Sequence, residues 1–112
     1  MADTGHSFSA YFKRATSPLV VLSLLRERAM YGYEISSEMA KRSGDQFVIS
    51  VLYPVLYRLQ EQGYIVISAN EIVDGRARSY YQITPSGRAY LEKTIQEYYN
   101  ISRTFETLIG GE

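Results

Sequence analysis

Residues 52–59 read Leu52-Tyr53-Pro54-Val55-Leu56-Tyr57-Arg58-Leu59, and this octet decides the fold. Leu52, Val55, Leu56 and Leu59 recur at i, i+3, i+4 and i+7, the spacing that buries one stripe of a helix. The opposite face carries Tyr53, Tyr57 and Arg58, large planar or cationic groups that donate hydrogen bonds. Gly63 stops the helix. Tyr64-Ile65-Val66-Ile67 follows, β-branched and short, a strand signal. Asp74-Gly75 is a strong hairpin-turn pair, and Arg78-Ser79-Tyr80-Tyr81-Gln82-Ile83 is the return strand. A helix feeding directly into a β-hairpin is the layout of a winged helix-turn-helix. The expected fold class is therefore mainly α with a β-hairpin, a winged helix-turn-helix followed by a long C-terminal helix.

Working outward, residues 7–15 predict a short helix with Phe8, Tyr11, Phe12 and Ala15 on one face. Thr16-Ser17-Pro18 predicts a boundary, with Ser17 as N-cap and Pro18 at the first helical position, where its missing N–H costs nothing. Residues 18–28 are apolar nearly all round and read as the central core helix. Met30-Tyr31-Gly32-Tyr33 is a break. A second helix is expected over residues 33–43, with Ile35 and Met39 inward and Gly44 just past its end. Phe47 and Ile49 anchor the connecting segment, Ser50 is the expected N-cap of the third helix, and Pro54 falls about one turn in. Thr84 and Pro85 open the last helix, which runs to about Ile109 and stops at Gly110-Gly111.

That last helix carries a second pattern. Leu91, Ile95, Tyr98, Ser102, Phe105 and Ile109 form a heptad seam, flanked by Tyr90, Thr94, Ile101 and Leu108. The apolar face is wider than one small domain needs, which points to packing on a second copy, together with Phe8, Tyr11 and Phe12 of the first helix. The plainer reading is that it folds back on its own core. The chain thus divides into a disordered tail over 1–6, a winged unit with its N-terminal helix over 7–87, and a C-terminal dimerisation helix over 88–112.

A length of 112 residues fits one domain. Without cysteine there is no disulfide framework and no thiolate metal site. The longest apolar run, residues 19–25, is too short to span a bilayer, and the N-terminus lacks the basic and apolar regions of a secretion signal. The expected location is the cytoplasm. Net charge is zero, yet residues 41–88 hold six basic side chains against four acidic ones, and beyond Arg88 the balance reverses. A basic middle and an acidic tail suit DNA on one face and a partner on another. His6 is the only histidine, and Glu34 and Glu38 lack further ligands, so neither a metal site nor a cofactor is expected. No phosphate-cradling glycine loop or nucleophile elbow is present, which argues against an enzyme.

The motifs, taken together, resemble the PadR family of bacterial transcriptional regulators. The likeness rests on Leu22-Ser23-Leu24-Leu25 followed by Tyr31-Gly32-Tyr33-Glu34-Ile35, on the 52–59 octet with Gly63-Tyr64-Ile65, and on 75–84 with Gly87. These cover residues 19–87. The single C-terminal helix is similar to that of the smaller subfamily. The resemblance implies a homodimeric, ligand-responsive repressor bound to a pseudo-palindromic operator in double-stranded DNA. It also implies that the third helix enters the major groove, the wing touches the flanking backbone, and the terminal helices build the dimer. Some short relatives have a pore between protomers that admits flat aromatic compounds. Many relatives carry a Gly-Thr pair before the octet, where this chain has Ser50 and Val51. Val51 has no side-chain hydrogen bond to offer a base, though it can touch a thymine methyl.

The candidate DNA contacts are Ser50, Val51, Tyr53, Tyr57, Arg58, Arg76, Arg78, Lys41 and Arg42. Each has a plainer reading beside it. Arg58 is otherwise a solvated surface arginine, Arg76 and Arg78 belong to a soluble turn, and Lys41 and Arg42 simply answer a helix dipole. Of Tyr80 and Tyr81, one is expected in the core and one outside. Phe12, Tyr98, Tyr99 and Phe105 are the candidate lining for a small aromatic effector. The alternatives are a small-molecule binding module and a winged helix that binds protein.

Overall fold

Four helices and three strands form within residues 6–48 and 52–110, the part of the chain that the computed structural model describes. The expectations for residues 1–5, Ile49, Ser50 and Val51 lie outside the described residues.

Helix α1 (Phe8–Glu27) starts where the Ser7 hydroxyl accepts the Ala10 N–H at 3.1 Å. It runs unbroken through Pro18, so the boundary expected at residues 16–18 is absent and Ser17 is no N-cap. Proline removes one backbone bond from a helix interior, a cost of roughly 3 kcal/mol. Packing offsets it, and two hydroxyls fold back on the preceding turn. Thr16 donates its hydroxyl to the Phe12 carbonyl at 2.7 Å and Ser17 donates to the Lys13 carbonyl, one turn back. The turns after Pro18 bury Val21, Leu22, Leu24 and Leu25, which holds the helix in line by packing.

Strand β1 (Met30–Tyr31) occupies the expected break, and helix α2 (Gly32–Arg42) follows at once. Glu34 accepts the Tyr31 N–H at 3.1 Å, while Ile35 and Met39 face the core. At its end Asp45 donates its N–H to the Ala40 carbonyl and Gly44 to that of Lys41, with Gly44 at positive φ. Helix α3 (Leu52–Glu61) buries Leu52, Leu56 and Leu59 as its spacing requires. Its end repeats the motif: the Tyr64 N–H reaches the Leu59 carbonyl and Gly63 reaches that of Gln60.

Strands β2 (Ile65–Val73) and β3 (Arg76–Ile83) form the hairpin, both longer than the sequence signals suggest. Asp74 and Gly75 both take positive φ, 52° and 76°, as a two-residue type I′ turn demands. The pairing shifts between Ile67 and Ala69, leaving Ser68 as a bulge that bends the wing. The sheet order is β1-β3-β2, all antiparallel, with Met30 opposite Tyr81 and Tyr31 opposite Tyr80. Two residues of β1 are too few to show period-two alternation, so only the tertiary pairing reveals them.

Helix α4 (Pro85–Leu108) begins at Thr84, whose hydroxyl accepts the Gly87 N–H at 3.0 Å. Leu91 is 0% exposed and belongs to the protein's own core beside Leu22, Leu25 and Ile35. The expectation that it opens the dimer seam is corrected: the first turns of α4 must cover the sheet and α1 before any partner is reached. Leu91→Ala should therefore cost about 2–5 kcal/mol of stability. Urea unfolding measures it, and a cost below about 0.5 kcal/mol, the range of surface substitutions, would return Leu91 to the surface.

Candidate nucleic-acid interface

Because α3 buries its leucine stripe, its other face must point to solvent. Tyr53 is 63% exposed and Tyr57 64%, and Pro54 and Arg58 lie exposed beside them. Among the described residues no carboxylate lies within ion-pair distance of Arg58, Arg76 or Arg78. Ser50 and Val51 lie outside the described residues, so their place on this face is not part of the geometry.

Arg76 is exposed at the start of β3, next to the turn. Arg78 is different. It is half-buried, with its guanidinium carbon 4.6 Å from the centre of the Tyr31 ring and its Nε buried without a hydrogen-bond partner. Tyr81 is buried and Tyr80 half-buried, so the expected division holds for the core residue while the other is partly covered. Tyr80 donates its hydroxyl to Glu71 at 3.1 Å. Burial first, then Glu71, raises the Tyr80 phenol above its ordinary range; burial first, then Tyr53, does the same to Tyr81.

Arg42 is tied up by carboxylates, while Lys41 keeps a largely exposed ammonium. Arg42 donates to both oxygens of Glu27, at 2.6 and 2.8 Å, and to Glu38 at 2.9 Å. Lys41 sits 3.7 Å from Glu38. The guanidinium thus ties the end of α2 to the end of α1 and has little left for a DNA phosphate. Arg28 is similarly paired with Glu34 at 3.2 Å.

On the side of α1 and α4, Phe8, Tyr11 and Phe12 are exposed, as are Tyr98, Tyr99, Ile101, Phe105, Leu108 and Ile109. Ile95 and Ser102 are half-buried, and Ile95 packs on the core. An apolar groove of about 400 Å³ runs between the helices, lined by Phe12, Leu19, Val20, Phe47, Ile95 and Tyr98 among others. Tyr99 and Phe105, expected beside Phe12 and Tyr98, do not line it. Among the described residues no group of three His, Cys, Asp or Glu side chains is placed to hold a metal, and no helix is long and apolar enough to cross a membrane.

The sequence reading missed Tyr31, Gly32 and Ser79. With Tyr53 and Arg78 they line a polar cavity of about 250 Å³ between α2, α3 and β3. Gly32 was visible as part of a motif, but its contact with Tyr53 joins residues 21 positions apart and has no local signal.

Residues 21–93 match the family described as "Transcriptional regulator PadR-like family". The transcriptional regulator Rv3488 of Mycobacterium tuberculosis is 33% identical over 101 residues, covering 90% of each chain. A transcriptional regulator from Clostridium thermocellum superposes with a TM-score of 0.80 at 30% identity, over 87% of this chain and 96% of that one. A PadR-like transcriptional regulator from Bacillus cereus gives 0.73 at 30% identity, over 91% and 99%.

The Arg42 cluster makes a pH prediction. Its hydrogen bond lowers both Glu27 and Glu38 below the ordinary value of 4.5, against a smaller opposing effect of burial, with its charge helping at Glu27 and that of Lys41 at Glu38. A carboxyl depressed on folding stabilises above its unfolded value, and that contribution is lost as pH falls through the folded value. Arg42→Gln should therefore lower Tm slightly at pH 7, and the difference from wild type should shrink as pH falls below about 4.5. Thermal melts from pH 7 to 2 check this; a gap that persists at pH 2 would mean that packing, not charge, is lost.

Proposed function

Because the chain belongs to the PadR-like family of transcriptional regulators, we propose that it is a homodimeric DNA-binding repressor whose recognition helix is α3. The observation that carries this reading is the sorting of α3 itself. One face is buried leucine; the other presents Tyr53, Tyr57 and an arginine that forms no ion pair among the described residues. Exposed aromatic side chains cost solvation unless a partner covers them, and phenol hydroxyls and guanidinium are the groups that meet phosphates and base edges. Arg76 at the wing tip adds a flanking backbone contact. Arg58 and Arg76 act as the phosphate or guanine contacts, whereas Arg42 stays with the scaffold.

The dimer is supported by the second exposed patch. The late turns of α4 display Tyr98, Ile101, Phe105, Leu108 and Ile109, and α1 displays Phe8, Tyr11 and Phe12 near its start. Exposed apolar side chains gathered on two helices that pack on one another are what a second copy would cover. The groove between α1 and α4 supports a planar, apolar or phenolic effector, held against Phe12 and Tyr98, that releases the repressor.

If each protomer neutralises roughly four phosphates, the dimer's log–log salt slope should be near −7. The preferred site should be pseudo-palindromic, with half-sites about one helical turn apart. Arg58→Ala and Arg76→Ala should each weaken duplex binding about tenfold while leaving the circular dichroism spectrum and Tm intact. Fluorescence anisotropy against a labelled duplex measures this, and unchanged affinity in both variants sinks the assigned face.

Phe105→Glu places a charge in the apolar patch and should shift the protein from dimer to monomer in sedimentation velocity. The same preparation serves for the effector. Calorimetric titration of the wild type with planar phenols should release heat, with the binding lost in Tyr98→Ala. A wild type already monomeric removes the dimer, and silence across a broad panel removes the ligand.

A further inference from the structure

Strand β1 pairs only with Tyr80 and Tyr81, so the stretch of β3 from Arg76 to Ser79 has an open edge on that side. The polar cavity of about 250 Å³ lies there, between the first turn of α2, the exposed start of α3 and the wing. Three features of its walls are not explained by folding alone.

Arg78 is the first. Stacking on Tyr31 fixes the plane of its guanidinium, and its Nε is shut from water without an acceptor. A buried donor left unpaired costs about 1–3 kcal/mol, and because Nε is closed to solvent an anion would be met by the terminal nitrogens of this half-buried side chain. The nearby carboxylates do not relieve it: Glu34 is held by Arg28 and the Tyr31 N–H, and Glu71 takes the Tyr80 hydroxyl. The second is Gly32. A Cβ there would overlap the Tyr53 hydroxyl and come within 2.9 Å of the ring carbon that bears it. Glycine is what lets the phenol rest against the start of α2. The third is Tyr53 itself, whose ring is largely exposed although its hydroxyl belongs to the cavity wall.

We propose that this cavity seats one phosphate of the DNA backbone, held jointly by the Arg78 guanidinium and the Tyr53 hydroxyl, with Gly32 keeping that hydroxyl in position. The inference rests on the DNA-binding reading above and goes beyond it, because it makes Arg78 and Tyr53 a single site. The chemistry fits a phosphodiester. A guanidinium is a planar fork matched to two phosphate oxygens, and the phenol supplies a third donor. An arginine clamped on a ring has no freedom to follow base edges, so the seat sets register and not sequence. It also joins recognition helix and wing through one anion.

The test uses the full chain and a labelled duplex of random sequence, titrated at several salt concentrations. Tyr53→Phe should lose about tenfold in affinity with an unchanged salt slope, because a neutral hydroxyl displaces no counterion. Arg78→Gln should flatten the slope by about 0.9 per protomer. Arg78→Lys should keep the slope and lose affinity, since the charge stays and the fork goes. The deciding measurement is the cycle between positions 53 and 78. In Arg78→Lys, adding Tyr53→Phe should cost much less than tenfold, and Gly32→Ala should mimic Tyr53→Phe and add nothing to it.

Additive losses at 53 and 78 overturn the shared seat, as do unchanged affinities in a wild type that binds duplex. If Arg78→Gln fails to fold, the lysine and phenylalanine variants still complete the cycle. Inorganic phosphate alone, titrated calorimetrically, separates the sources. Saturable binding of it that leaves duplex affinity untouched assigns the cavity to free phosphate and overturns the proposal. A wild type that binds no duplex at any salt fails the underlying DNA reading, an outcome distinct from the other two.

Discussion

The contact on which the arrangement depends is made between backbones. The Tyr64 carbonyl accepts the Thr84 N–H at 3.0 Å and stands where a Cβ on Gly87 would have to be. Thr84 also donates its hydroxyl to the Gly63 carbonyl at 2.7 Å, and Tyr64 stacks its ring on Tyr90 at 4.3 Å. The end of α3, the end of β3 and the start of α4 therefore meet at one point. No long side chain sits at the closest approach, so it cannot adapt by changing rotamer, and any added volume must displace the main chain. The helix proposed to read DNA and the helix proposed to dimerise are joined there with little slack.

A second constraint is the way charge is spent. The chain is neutral overall, which at first sight disfavours nucleic acid. Four of the twelve acidic side chains, however, are committed locally. Glu27 and Glu38 hold Arg42, Glu34 holds Arg28, and Glu71 takes the Tyr80 hydroxyl. Arg58, Arg76 and Arg78 are left with no carboxylate within ion-pair distance among the described residues. The field near α3 and the wing is set by the charges that sit there, Arg58, Arg76 and Arg78 beside Glu61, Glu71 and Asp74, and not by the sum over the molecule.

Helix α3, the type I′ turn and the caps at Gly44, Gly63 and Thr84 were legible because each depends on residues within one or two turns. What sequence misread had its cause elsewhere in the chain. Ser17-Pro18 is a sound local signal for a helix start, and it is overridden by the burial of Leu22 and Leu25. Leu91 fits a heptad seam as well as any residue, but periodicity cannot say whether a stripe faces its own core or a neighbour's. Of the partners of Arg42, Glu38 lies one turn back and is legible as an i, i+4 pair, whereas Glu27 lies 15 positions away and is not. The Tyr31, Gly32 and Ser79 walls of the cavity are brought together only by the sheet.

The continuity of α1 bears on how regulation would work. Since Pro18 does not divide it, exposed Phe8 and Phe12 ride on the same rod as buried Leu22 and Leu25. Helix α4 is built alike, with Leu91 in the core and Phe105 outside. In the proposed dimer the distance between the two α3 helices is thus set by how these rods cross. At 24 residues α4 is about 36 Å long, so a rotation of about 5° moves its far end by about 3 Å. That is close to the roughly 3.4 Å rise of one base pair along DNA. A ligand wedged between α1 and α4 at Phe12 and Tyr98 need only tilt one rod slightly. In the proposed repressor the stiff Gly87 junction would carry the tilt to α3, and the half-sites would no longer match the spacing of the groove.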